Sequence, residues 1–193
     1  MGKTYWMLVT TYENYRITRD LGFSIQGVES KQRRKAVRMG PDDRLLYYIS
    51  DRQAFAATAV VASEHFEDHT RFWQHHTTAE DFPHRVKIRP EVVLDETRWL
   101  DASHIAHRME YIRKWPPEWW RLAFMGALHI IPQKDFYLLE EEMKKIASAA
   151  AAGSRSRAQS RRRNGRRGRP RGDSQQRRRE GRRPQQRQAA AAD

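Results

Sequence analysis

The chain has 193 residues, 38% of them hydrophobic, which is enough for one compact core and too little for two full-sized domains. Its net charge of +13 is concentrated at one end: residues 153–193 carry fifteen Arg, no Lys and three acids, a net of +12, leaving +1 for residues 1–152. The absence of cysteine excludes disulfides, thiolate catalysis and Cys-ligated metal centres.

In chain order, Tyr5 to Thr10 is a strand-length run of β-branched and aromatic residues. Thr11 supplies a capping hydroxyl for a brief helix that ends at Gly22. Phe23 to Val28 reads as extended, Lys31 to Met39 as basic and helix-permissive, and Gly40-Pro41-Asp42-Asp43 as a turn. Arg44 to Ser50 and Ala54 to Ser63 form the strongest pair, two antiparallel strands joined by the polar Asp51-Arg52-Gln53. His84 to Arg89 alternates basic and apolar residues like a half-buried strand; Pro90 lets it stop or bend, and Glu91 to Leu94 can continue it. Leu100 to Ile112 has mixed helical spacing, and Trp115 to Trp120 reads as a rigid aromatic loop. Ala127 to Ile131 reads as a last strand. From Gln133 to Ala152, Phe136, Leu139, Met143 and Ile146 fall on one face of a helix.

This order predicts an α+β domain over residues 1–147, built on a small, mostly antiparallel, curved sheet or barrel flanked by helices. All 20 aromatic residues lie before residue 153. Residues 148–193 are composed mainly of Ala, Ser, Arg, Gln, Gly and Pro, and a disordered tail is expected there, because such a segment buries too little apolar surface to offset its ordering entropy. No apolar run of about 18 residues and no leader pattern is present, so the expected protein is soluble, cytoplasmic and not membrane-bound, with nucleoid association as an alternative.

Catalytic signatures are missing. Gly2-Lys3-Thr4 lacks the preceding glycine and strand of a phosphate-binding loop, and no serine sits in a G-x-S-x-G elbow. His65 and His69 have the i, i+4 spacing of paired helical metal ligands, but no glutamate follows His65 directly and the local helix propensity is poor. The expectation is therefore a non-enzyme with no cofactor and no metal. The arginines of the tail, by contrast, suit sequence-independent, salt-sensitive attachment to DNA or RNA. Within it, Arg167-Gly168-Arg169-Pro170, flanked by Arg166 and Arg171, resembles an AT-hook, a peptide that lays arginines along an A·T minor groove.

Tyr5 to Asn14, the Gln26-Gly27-Val28 step, the Gly40 to Tyr48 turn and strand, Arg85 to Pro90, Lys114-Trp115 and Ile131 to Phe136 together resemble an EVE domain over about residues 4–145. The resemblance implies a PUA-like β-barrel flanked by helices, related to the YTH domains that recognise a methylated adenine in RNA. It further implies a reader of modified bases, with Thr10 or Thr11 and Asn14 as polar groups at the base edge and Trp73 as an aromatic wall. This chain has Gln26 where the family commonly has Trp. Either Phe23 or a tyrosine replaces that wall, or the Gln26 amide reads the base. The expected partner is nucleic acid, DNA or RNA, with the oligomeric state open. The competing reading is a nucleoid- or RNA-associated structural protein that binds through its tail only.

Overall fold

The computed structural model describes residues 2–75 and 80–167, with side chains of the last helix described through Ala152. In chain order the elements are β1 (Tyr5–Thr10), α1 (Tyr12–Asp20), β2 (Ile25–Val28), α2 (Arg33–Ala36), β3 (Arg44–Ile49), β4 (Ala54–Val61), β5 (Phe66–Glu67) and β6 (His84–Val93). They continue with β7 (Leu100–Asp101), α3 (Ala102–Ile105), β8 (Leu128–Ile130) and α4 (Gln133–Arg167). Short 3-10 turns fill Ser30–Gln32, Glu96–Arg98, Ala106–Arg108, Glu110–Ile112 and Pro117–Phe124.

The strands form one curled, half-barrel sheet in the order β2-β6-β4-β3-β1-β8, with β5 added to β6 and β7 to β4. Every pairing is antiparallel except β1 with β3, which run parallel from Tyr5↔Arg44 to Thr10↔Ile49. The α+β architecture expected from the sequence is thus present.

Alternation along the central strands feeds two cores. Tyr5, Met7, Leu46, Tyr48 and Phe55 join one, with Phe136, Leu139 and Met143 of α4. Trp6, Leu8, Leu45, Tyr47 and Ile49 join the other, with Tyr15 of α1 and Ala36 of α2. Burial on both faces explains why β1, β3 and β4 read as continuous apolar runs rather than as a clean alternation. Strand β6 continues through Pro90 to Val93, one of the courses left open there. Its partners step from Thr58↔Val92 to Ala59↔Pro90, leaving Glu91 unpaired in a bulge beside the residue that has no N–H to give.

Two local expectations change. Leu100 to Ile112, of mixed helical spacing in sequence, begins with a two-residue strand before one short helix and two 3-10 turns, with Asp101 capping α3 by accepting from Ser103 N at 2.8 Å. The aromatic segment after Trp115 is a 3-10 helix, Pro117–Phe124, because Pro117 starts it and Phe124 is drawn into the core against Tyr48 at 4.5 Å between ring centres. The last helix runs to Arg167, beyond the composition change near residue 148, and its apolar residues packed against the core end with Ile146 and Ala147. Among the described residues no helix is long and apolar enough to cross a membrane. The compact unit that holds the sheet ends at Ser154.

Candidate functional site

Where β1 ends and α1 begins, the chain turns through Thr10 and Thr11, and a cavity of about 390 Å³ opens. Its lining includes Thr10, Thr11 and Asn14 from this turn, Glu29 after β2, Gln74 and Phe82 from the β5–β6 loop, and Gly126 before β8. Three of the residues picked out from the sequence therefore share one cavity.

Each of them also has a local duty. Thr11 caps α1, its Oγ1 accepting from Asn14 N at 3.3 Å, as its position before an amphipathic stretch suggests. The Thr10 carbonyl accepts from Ser50 N at 2.9 Å and from its Oγ at 3.1 Å, tying the ends of the two parallel strands together. Asn14, 7% exposed, clamps a loop: its Nδ2 donates to the Gln74 carbonyl at 2.7 Å and its Oδ1 accepts from Gln74 N at 2.8 Å. One amide proton and one lone pair of Asn14 remain beyond that clamp.

Gln26 and Trp73 are not in the cavity lining. Both are 3% exposed and lie in a hydrogen-bonded chain behind it. Trp73 Nε1 donates to Thr18 Oγ1 at 2.8 Å, and Thr18 Oγ1 donates on to Gln26 Oε1 at 3.1 Å. Gln26 Oε1 also accepts from the Tyr47 hydroxyl at 2.9 Å, and its Nε2 donates to the Gly27 carbonyl at 2.7 Å. Complete burial pushes the Tyr47 hydroxyl well above its ordinary pKa, so it remains a donor. Of the alternatives left open at position 26, Phe23 is buried against Tyr15 and Tyr47, the described lining of the cavity holds no tyrosine, and the Gln26 amide is hydrogen-bonded to the scaffold.

The aromatic residue that does line the cavity is Phe82, which sequence reasoning passed over. It has a φ of 50°, a conformation unfavourable for an aromatic residue and held here by its neighbours. Glu80 Oε1 accepts from Phe82 N at 3.1 Å and from Ser30 Oγ at 2.8 Å, while the Phe82 carbonyl accepts from Arg85 Nε at 3.2 Å. No composition or spacing signal marks such a residue.

Arg85 organises the rest of the loop. Its guanidinium is fully buried, donates to Asp68 Oδ2 at 2.6 Å and to the Thr70 carbonyl, and lies 5.2 Å and 5.4 Å from the ring centres of Phe72 and Trp73. Hydrogen bonds from Thr70, reinforced by Arg85, hold the Asp68 carboxyl below its usual range. The two histidines at i, i+4 part company: His69 Nδ1 lies 2.6 Å from Asp81 Oδ2, whereas His65 turns to His84 and Glu67, the described group with metal-ligand spacing. In the tail, Arg166 and Arg167 end α4, and Arg169 and Arg171 lie outside the described residues.

Comparison with known proteins identifies the family and the fold. The sequence model of the EVE domain matches residues 4–138. A UPF0310 protein of Pyrococcus abyssi is 25% identical over 146 residues, covering 71% of this chain and 97% of its own. Among solved structures, the Pho92 YTH domain in complex with m6A superposes with a TM-score of 0.55 at 11% identity, covering 74% of this chain and 86% of that one. The YTH domain of the Zygosaccharomyces rouxii MRB1 protein, solved with N6-methyladenosine RNA, gives 0.51 at 13% identity, covering 74% and 87%. At these identities the YTH likeness is one of fold.

Proposed function

The chain belongs to the EVE domain family, and on that basis we propose that it is a non-catalytic nucleic-acid-binding module that takes a modified base into the cavity at the start of α1, with the arginine-rich tail holding the polymer. The observation that carries this reading is the cavity itself. At about 390 Å³ it is the size of a small-ligand site, and it combines one aromatic face, Phe82, with the polar edge of Thr10, Thr11 and Asn14. The fold it sits in is shared with YTH domains solved with methylated adenine.

The energetics divide the labour. A base stacked on an aromatic ring gains about 1–3 kcal/mol. A buried methyl adds about 0.8 kcal/mol, a preference of about fourfold over the unmethylated base. Discrimination beyond that falls to the polar groups, and affinity for the polymer to phosphate contacts. A folded part of net charge +1 attracts phosphates weakly, and a tail of +12 strongly. Tethering the two keeps nucleic acid close to the cavity.

The test is a tryptophan-fluorescence titration of the protein with N6-methyladenosine, adenosine and a panel of other methylated nucleosides. One methylated nucleoside is expected to saturate, preferred at least about fourfold over its parent, with Asn14→Ala and Phe82→Ala each weakening it about tenfold or more while melting cooperatively. If no nucleoside binds, or if binding ignores both substitutions, the cavity is not the reader and the tail-only reading takes its place.

A further inference from the structure

At the outer edge of the sheet, β5 pairs with the first residues of β6 so that Glu67 stands opposite His84, and His65 lies one residue before β5. Three ligand atoms converge there. His65 Nε2 is 3.1 Å from His84 Nδ1, His84 Nδ1 is 3.5 Å from Glu67 Oε1, and all three lie within 4.8 Å of one another. Tetrahedral coordination with metal–nitrogen and metal–oxygen bonds of about 2.0–2.2 Å sets neighbouring ligand atoms about 3.3–3.6 Å apart. The His65–His84 and His84–Glu67 separations fall close to that edge length.

A hydrogen bond alone leaves the arrangement incomplete. Between two imidazole nitrogens a single proton can be shared, and it serves that pair only. Glu67 Oε1, at 3.5 Å from the same Nδ1, is beyond good hydrogen-bond distance, although it aims at the same point. One divalent cation would satisfy all three atoms at once. We propose that His65, Glu67 and His84 form a site for a zinc-class divalent cation, with a fourth position open to water.

The surroundings suit this assignment. His84 is 5% exposed and fixed by the strand, so one ligand is preorganised, while Glu67 is half exposed and free to adjust. Arg33 is the cation that Glu67 now faces, at 3.7 Å, and being largely exposed it can turn to solvent. The imidazole–carboxylate donor set selects zinc, nickel or cobalt over magnesium or calcium. A metal here ties β5 to β6 at the base of the loop that carries Trp73, Gln74 and Phe82. The proposal rests on this cluster and stands or falls independently of base binding.

The full-length protein, stripped with chelator, is titrated with zinc by calorimetry and with cobalt(II) by visible absorption, and its melting is followed with and without zinc. One equivalent is expected to bind, with a cobalt spectrum of tetrahedral intensity and a rise in melting temperature. His65→Ala is expected to abolish the spectrum, and Glu67→Ala to weaken zinc at least tenfold. Both positions are partly or well exposed, so these variants keep the fold, and cooperative melting without metal verifies it. His69→Ala, in the separate pair with Asp81, leaves binding unchanged. Failure to bind one equivalent, or affinity indifferent to His65→Ala and Glu67→Ala, overturns the proposal.

Discussion

His129 stands on β8, close behind the cavity wall at Gly126 and Ala127, with Nδ1 2.9 Å from the Tyr111 hydroxyl. Burial lowers its pKa, and the nearby ammonium groups of Lys35 and Lys114 act in the same direction, opposed by a weaker contribution from the Gly126 backbone. The unfolded chain therefore takes up a proton at this imidazole, near its ordinary pKa of about 6.5, before the folded chain does. Stability is fully retained above that point and falls as pH drops from there toward the folded value. Chemical denaturation at pH 7.5 and at pH 5.5 should show a larger loss of stability for the wild type than for His129→Gln, and equal losses would contradict this. Residue-scale chemistry also limits what can be read from sequence. Thr11 was legible because a hydroxyl before an amphipathic stretch announces a helix start, whereas Asn14 was nominated only by the family resemblance. That Asn14 would spend two of its hydrogen bonds on Gln74, 60 residues away, has no local signal.

At the scale of elements, the contact between β2 and the loop after β5 is the tightest constraint on the site. A Cβ at Gly27 would lie 2.4 Å from Trp73 Cζ3 and 2.9 Å from the Phe82 carbonyl oxygen, so the close approach admits glycine alone. Gly27→Ala is expected to displace Trp73 from Thr18, destabilising the domain by about 1–3 kcal/mol and shifting tryptophan emission to the red. Unchanged melting and emission would show that the loop is not seated on β2. The strands themselves were largely readable because β1, β3, β4 and β6 have the length, pattern and punctuation of strands, but beyond the β3–β4 hairpin their order was not. The loop was not. Its form depends on Arg85 reaching back to Asp68, Thr70 and Phe82, contacts that a charge pattern cannot predict because a buried arginine looks like a surface one in sequence. In the same loop Phe82, not Trp73, lines the cavity, while Trp73 and Gln26 both hydrogen-bond to Thr18.

For the molecule as a whole, charge and cavity lie in different segments: a nearly neutral folded part holds the cavity, and fifteen arginines follow it. Phosphate contacts release counterions, so affinity due to the tail falls steeply with salt, whereas stacking and base-edge hydrogen bonds do not. The most direct measurement is fluorescence anisotropy of the full-length protein with a short single-stranded RNA carrying one N6-methyladenosine and with the same RNA unmodified, at about 0.1 M and about 0.4 M salt, repeated with RNAs carrying other methylated bases. For one methylated base, both affinities are expected to drop sharply with salt while their ratio holds at about four or more. A ratio of one at both salt concentrations for every methylated base would contradict a base-reading cavity.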